Sequence, residues 1–560
     1  MVNFRKLFST RKTAQSQAIP GKAMVPNSAG GFAFALDDWA RLDRFLVLGS
    51  AGGTYYISEQ KLTLENAQAV MACVDADGLR AVARIAEISE AGRAPKNTPA
   101  IYALAIAAAA GDEATRKAAL KALPRVCRIG THLYQFAEFV EGFRGWGRAL
   151  RRAVADWYLA KPVDDLVLQA IKYKGRAVGG ADEGGTRWSH RDLLRLSHPK
   201  AAKDDGARAA LFDRIVRPDG TGALPAALAQ FAASERLARV EDPGEAARLI
   251  AGHKLPREAV PTHLLNSKEV WAALLADMPM TAMIRSLGKM SEVGLLQPRS
   301  AAAKTVAERL GDAARLKRAR IHPLAVLMAQ SVYAQGRGFR GKLAWQPVPA
   351  IVDALDEAFY KCFAFVEPTG KRIMLALDVS GSMGGAFVAG TPLTAREASA
   401  AMAMVTLAAE KDCHVAGFTA AGRGAWKSPR GSRLSGYADG LAPLGLSRRQ
   451  RLDDAVRTVA ALDFGGTDCA LPMLYAIDRG LEIDAFVVYT DSETWAGAIH
   501  PVQALQEYRR KSGIPARLAV VGMTSNGFSI ADPKDGGMLD VVGFDAAAPA
   551  VIASFVAGSV

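Results

Sequence analysis

The sequence predicts two folding units in tandem: an all-helical array, then a mainly parallel α/β sheet covered by helices on both faces. Three observations carry this. The chain has 560 residues, enough for two to four domains at roughly 100–200 residues each. Its hydrophobic period changes after Tyr360. Its charge is segregated between the two parts. With 50% hydrophobic, 22% charged and 7% aromatic residues, the composition is that of a globular chain and not a disordered one. No uninterrupted apolar run approaches the ~18 residues of a membrane span, so no membrane association is expected.

Taken in order, residues 1–26 read as a basic arm. The first acidic residue is Asp37, preceded by Arg5, Lys6, Arg11, Lys12 and Lys22. The arm lacks the apolar stretch of a secretory leader, and Pro20, Gly21 and Pro26 favour extended chain. Residues 27–370 form the helical unit. Apolar residues recur three and four apart in Asn66–Asp75, Leu79–Glu90, Ile101–Ala110, Thr115–Cys127, Leu133–Glu141 and Trp146–Leu159, with short Gly, Pro or Asp breaks between them. Such pieces suit helix pairs stacked as a solenoid, although no strict repeat period is present.

Residues 371–560 form the α/β unit. Short apolar runs at Arg372–Leu377, His414–Phe418, Ala485–Thr490 and Ala516–Val521 alternate with helical stretches at Ala395–Lys411, Leu452–Leu462, Leu471–Arg479 and Val502–Lys511. Alternation of this kind builds a parallel sheet. Ligands of such sheets bind at the carboxyl ends of the strands.

The five cysteines, Cys73, Cys127, Cys362, Cys413 and Cys469, lie far apart with no Cys-x-x-Cys pair. That excludes a disulfide framework and a zinc ribbon, and a reducing, cytoplasmic setting is expected. The formal net charge is +14. Of 70 Lys+Arg and 56 Asp+Glu, 18 and 19 fall after residue 370, so the first 370 residues carry +15. A field of that sign attracts polyanions.

In the α/β unit, the strand ending at Leu377 runs into Asp378-Val379-Ser380-Gly381-Ser382. Alternation places the Asp378 carboxylate and the Ser380 and Ser382 hydroxyls on one side. Thr467, in Gly465-Gly466-Thr467-Asp468, and Asp491, after the run Phe486–Thr490, add two more oxygens at the same sheet edge. Hard oxygen donors with few carboxylates suit a divalent cation, Mg2+ above all. This set resembles the metal-ion-dependent adhesion site of von Willebrand factor A domains, where the ion keeps one position for a partner's carboxylate. The resemblance therefore implies binding and not catalysis, with an acidic protein ligand as the partner.

Enzymatic readings find no anchor. Gly336-Arg337-Gly338-Phe339-Arg340-Gly341-Lys342-Leu343 falls short of a P-loop, because Leu343 cannot ligate magnesium and Leu324–Tyr333 reads as helix. Ser380 stands where a nucleophile elbow needs its first glycine.

Two stretches of the helical unit join cationic and aromatic residues. Arg148, Arg151 and Arg152 share one helical face. Lys172 and Arg176 follow, then Arg191, Arg195, His198 and Lys200. Their charges suit phosphates, while Tyr173, Trp188 and the histidines are expected to stack on unpaired bases. The RNA-binding candidates are thus Arg148, Arg151, Lys172, Arg176, Arg191 and His198.

The segments Trp188-Ser189-His190-Arg191-Asp192-Leu193-Leu194-Arg195-Leu196-Ser197-His198, Ala319-Arg320-Ile321-His322-Pro323, Val366-Glu367-Pro368-Thr369-Gly370-Lys371-Arg372 and Gly522-Met523-Thr524-Ser525-Asn526-Gly527-Phe528 resemble the TROVE family. The likeness extends from about Asn27 to the last strand. It implies a ring of HEAT-like helical repeats closed by a von Willebrand factor A domain, monomeric and without catalytic activity. It further implies a ring that carries small noncoding Y RNAs on its outer surface and takes single-stranded 3′ ends of misfolded or unprocessed RNAs into its hole. Lys172, Arg176 and His198 match the family's Y RNA contacts. Partner exoribonucleases such as polynucleotide phosphorylase are implied for bacterial members, in RNA quality control. Two departures stand out: the Gly-rich insert Ala177–Thr186 beside the basic patch, and Gly381 where some relatives carry alanine. The alternative reading is a metal-dependent protein-interaction scaffold centred on Asp378.

Overall fold

The computed structural model describes residues 12–50, 57–173, 188–220, 222–338, 342–363, 366–388, 393–420, 440–462, 465–545 and 547–558. Among them are nine strands: β1 (Met24–Pro26), β2 (Phe32–Ala35), β3 (Ile373–Asp378), β4 (Cys413–Phe418), β5 (Leu441–Pro443), β6 (Ala485–Thr490), β7 (Arg517–Gly522), β8 (Phe528–Ser529) and β9 (Met538–Val542).

The helical unit begins with Asp38–Leu48 and Glu59–Ala91. The second of these covers two of the expected helices and breaks at Asp77, whose φ of −158° and ψ of 86° are non-helical. The Asp77 carboxylate accepts from the Arg80 amide at 3.0 Å and so caps the second half. Gly78 is required there: a Cβ would lie 2.1 Å from Thr115 Oγ1 on the helix Glu113–Val126. Thr98–Ala110 is apolar around nearly its whole circumference and sits at the centre of the first repeats, between Glu59–Ala91 and Gly130–Phe143. Further helices, from Arg148–Ala160 to Pro349–Lys361, add on in chain order. No described helix is long and apolar enough to cross a membrane.

The array returns on itself. Arg320 Nη1 donates to the Glu90 carbonyl at 2.9 Å, 230 residues away, and the His322 ring lies 3.2 Å from the Arg93 carbonyl. The α/β unit bridges the junction. On the early side Arg44, 1% exposed, donates to Thr524 O at 3.1 Å, Asn526 Oδ1 at 2.9 Å and Asp540 Oδ1 at 2.6 Å. Arg93 reaches Val542 O at 2.8 Å. On the late side Asp356 accepts from the Leu452 amide at 3.0 Å, and Arg451 pairs with Asp353. This is the closed, ring-like helical array expected above.

The main sheet has the order β5-β4-β3-β6-β7-β9, parallel except for β5. Every residue of β3 and β6 is buried, because helices cover both faces. The edge strands β5 and β9 were not foreseen. Nor was the small antiparallel sheet β1-β2-β8, which ties the basic arm to the α/β unit.

Candidate nucleic-acid interface and cation site

The cation candidates gather at the carboxyl ends of β3 and β6. Asp378 is the last residue of β3, and its Oδ1 accepts from the Ser380 amide at 2.9 Å. The Ser380 and Ser382 hydroxyls lie 3.1 Å apart at the start of the short helix Gly381–Gly385. Asp491 follows β6, and its Oδ1 accepts from the Glu493 amide at 3.0 Å. Thr467 belongs to the loop before the helix Leu471–Arg479, and its carbonyl accepts from the Trp495 and Ala496 amides at 3.1 and 3.0 Å. The Gly381 amide donates to Gly465 O at 3.5 Å, which brings that loop beside the serines. None of the five donor residues exceeds 2% exposure.

Burial raises the pKa of Asp378 and pushes that of Asp491 well above the usual carboxylate range, with Asp378 and then Glu493 adding repulsion at Asp491. Asp491 Oδ2 and Ser492 Oγ are buried without a hydrogen-bond partner among the described residues. Ser492 also holds a left-handed φ of 62°, a conformation that costs a non-glycine residue about 1–3 kcal/mol. Two carboxylates shut away from water call for positive charge. Arg396 supplies part of it from below, its Nη2 donating to Val379 O at 2.6 Å and Ser380 O at 3.0 Å. No three His, Cys, Asp or Glu side chains form a metal cage among the described residues. The donors here are two carboxylates and three hydroxyls, a set that fits a hard divalent ion.

Sequence reasoning missed three contributors. Thr490, the last residue of β6, donates to Asp378 Oδ2 at 2.6 Å. Its place one residue before Asp491 was the available signal. Gln15, in the arm, and Asn27, just after it, reach the loops that carry Thr467 and Asp491. No spacing rule links residues more than 450 positions apart.

The RNA candidates fall on neighbouring helices. Arg148, Arg151 and Arg152 are exposed on Arg148–Ala160, whose opposite face buries Leu150, Val154, Trp157 and Tyr158. That helix packs on His190–Ser197, which exposes Arg191 and Arg195 and ends at exposed His198 in a left-handed cap with φ of 47°. Lys172, half-buried, closes the helix Val163–Lys172. A cleft of about 480 Å³ opens between His190–Ser197 and the helices Gly206–Val216 and Ala229–Leu237, lined by Arg191, Arg195, Arg214, Phe231 and Glu235 among others. Arg176 and the insert Ala177–Thr186 lie outside the described residues.

Two expected base-stacking groups are corrected. Trp188 is 9% exposed, its ring 5.1 Å from that of Trp146. His190 is buried, with Nδ1 2.7 Å from the Tyr158 hydroxyl. Burial lowers its pKa to about 4, so it is a neutral core group near pH 7. Apolar packing claimed both rings, because each flanks the start of a short helix whose Leu193 and Leu194 point inward. Tyr173 is half-buried, and its carbonyl accepts from the Tyr134 hydroxyl at 2.7 Å.

Comparison with known proteins agrees with this architecture. The TROVE domain family matches residues 25–221 and 223–332, and the Ro60 vWA domain family matches residues 372–556. The chain is 45% identical over 543 residues to the RNA-binding protein RO60 of Deinococcus radiodurans, covering 96% of both chains. It is 36% identical to the RNA-binding protein RO60 of Caenorhabditis elegans, covering 96% of this chain and 90% of that one. The crystal structure of the Deinococcus radiodurans RO (RSR) protein superposes with a TM-score of 0.68 at 44% identity, over 94% of this chain and 100% of that one. A closed helical array, an A-type sheet with its oxygen-lined edge and near full-length likeness together make this chain a member of the Ro60 family, a TROVE domain joined to a Ro60 von Willebrand A domain.

Proposed function

We propose that this protein binds noncoding RNA and acts in RNA quality control, with no catalysis of its own. The carrying observation is the cationic surface of the helical unit: exposed Arg148, Arg151, Arg152, Arg191, Arg195 and His198 on two packed helices, beside Lys172. The names of the relatives as RNA-binding proteins support the same reading. On this reading a Y RNA occupies that outer face, with Arg176 contributing, and the hole of the ring takes single-stranded 3′ ends of misfolded or unprocessed RNAs. A 3′ exoribonuclease such as polynucleotide phosphorylase then trims them in the cytoplasm. The division of labour follows the sequence: an arm over residues 1–26, an RNA-binding ring over 27–370 and an A domain over 371–560.

The A domain would hold one Mg2+ through Asp378, Ser380, Ser382, Thr467 and Asp491. The ion would supply the charge that the two buried carboxylates lack. Because the donors are enclosed, its part in this reading is to hold three loops together, in preference to capturing an acidic protein.

The test is equilibrium binding of a single-stranded RNA against salt. Contacts with about six phosphates give a log–log slope of roughly −4 for single strands. Affinity insensitive to salt contradicts the reading.

A further inference from the structure

We infer that Gln15, in the arm, and Asn27, the residue just after it, are positioning residues of the cation site, forming a strap that fixes two of its three loops. The inference rests on the cation reading above and goes beyond it by assigning the N-terminal segment a part in cation affinity.

The strap's contacts converge on those loops. Gln15 is fully buried. Its Nε2 donates to Asp468 Oδ1 at 2.7 Å, next to Thr467, and to Ile499 O at 2.8 Å. Its Oε1 accepts from the Thr494 hydroxyl and, at 3.4 Å, from the Gly497 amide. One side chain therefore clamps the Thr467 loop to the segment after Asp491. Asn27 adds a second hold on the segment after Asp491 alone. Its Nδ2 donates to Thr494 O at 2.7 Å and Ser492 O at 3.5 Å, while its Oδ1 accepts from the Gly31 amide at 2.8 Å. The Ala29 amide donates to Glu493 Oε2 at 3.0 Å. The fit is close enough that a Cβ on Gly31 would come 2.0 Å from Thr494 O.

The strap meets Asp468, Ser492, Glu493, Thr494, Gly497 and Ile499 without touching a cation donor side chain. It acts instead on the backbone that carries Thr467 and Asp491. The strained φ of Ser492 shows that this backbone needs outside support. Positioning of ligands by outer partners commonly changes metal affinity 10–100-fold. By linkage, a bound cation must stabilise the docked strap by the same factor.

The experiment uses the full chain, freed of metal with a chelator and titrated with Mn2+, bound ion being read by electron paramagnetic resonance. Gln15→Met keeps the volume and removes the hydrogen bonds; Asn27→Ala removes the second clamp. Lys22→Ala is the control, since Lys22 pairs with Asp532 and touches neither loop. The expected result is tenfold or greater weakening of Mn2+ binding by Gln15→Met and by Asn27→Ala, with Lys22→Ala within twofold of wild type. Wild-type affinity in both clamp variants overturns the inference and leaves the cation site standing. Absence of Mn2+ binding by the wild-type chain overturns both together. A second reading on the wild-type chain alone covers variants that fail to fold: Mn2+ should slow tryptic cleavage after Lys22 at least tenfold, and an unchanged rate overturns the strap's role.

Discussion

Asn526 joins Arg44 to Asp491: its Oδ1 accepts from Arg44 Nη1 at 2.9 Å, and its Nδ2 donates to the Asp491 carbonyl at 2.6 Å. One amide thus connects the first long helix of the ring to a cation donor. Arg44 is the buried half of an ion pair with Asp540. Truncating one partner of such a pair costs about 3–5 kcal/mol, because the other charge is left enclosed. Arg44→Ala is expected to lower stability by at least about 3 kcal/mol in a urea titration.

The buried acids set a pH dependence in the metal-free protein. Burial pushes Glu493 up to about 7 and Asp468 up to about 6, against ordinary values of 4.5 and 3.8. At these two groups the folded state binds more protons than the unfolded state across that window, so their contribution to stability falls as pH rises, opposed by buried His132 and His190, which are lowered to about 4. In chelator, the urea midpoint of the wild-type chain relative to that of Glu493→Gln should decrease from pH 5 to pH 7.5. With Mg2+ the increment should grow over the same range, since Asp378 and Asp491 must ionise to ligate. A midpoint in chelator that does not fall relative to the variant's contradicts the assignment.

Trp188 separates packing from recognition. Its ring lies against Trp146 in the core, so Trp188→Ala should cost about 3–5 kcal/mol of stability. At a temperature where the variant remains folded, RNA affinity should stay within about threefold of wild type. Loss of RNA affinity without loss of stability would restore the stacking role.

Much of this was legible in advance, for physical reasons that differ by element. The strands β3, β4, β6 and β7 announce themselves as apolar runs because a doubly covered sheet buries both faces. Asp378, Ser380 and Ser382 could be grouped because strand alternation is local. Asp491 could be added because parallel strands end on one edge. What stayed hidden was non-local or short. β8 has two residues, too few for a pattern. Gln15 acquires its role only when the fold brings it to Asp468, 453 residues on. The aromatic residues misled because a tryptophan beside arginines looks alike in a core and on a surface. Whether apolar neighbours enclose it is decided by tertiary packing.

The cationic face should divide from the cation site. Asp378→Ala is expected to abolish the Mg2+-dependent rise in melting temperature while changing RNA affinity less than threefold, read by calorimetry and filter binding on the same preparation.

The most direct test of the central claim is to crosslink the protein to RNA in its native cells, purify it and sequence what is attached, beside the variant Lys172→Ala/Arg191→Ala/His198→Ala. The account predicts enrichment of a small structured RNA that the triple variant loses, together with a spread of RNA 3′ ends that persists. No enrichment over background, or equal enrichment in the variant, would contradict it.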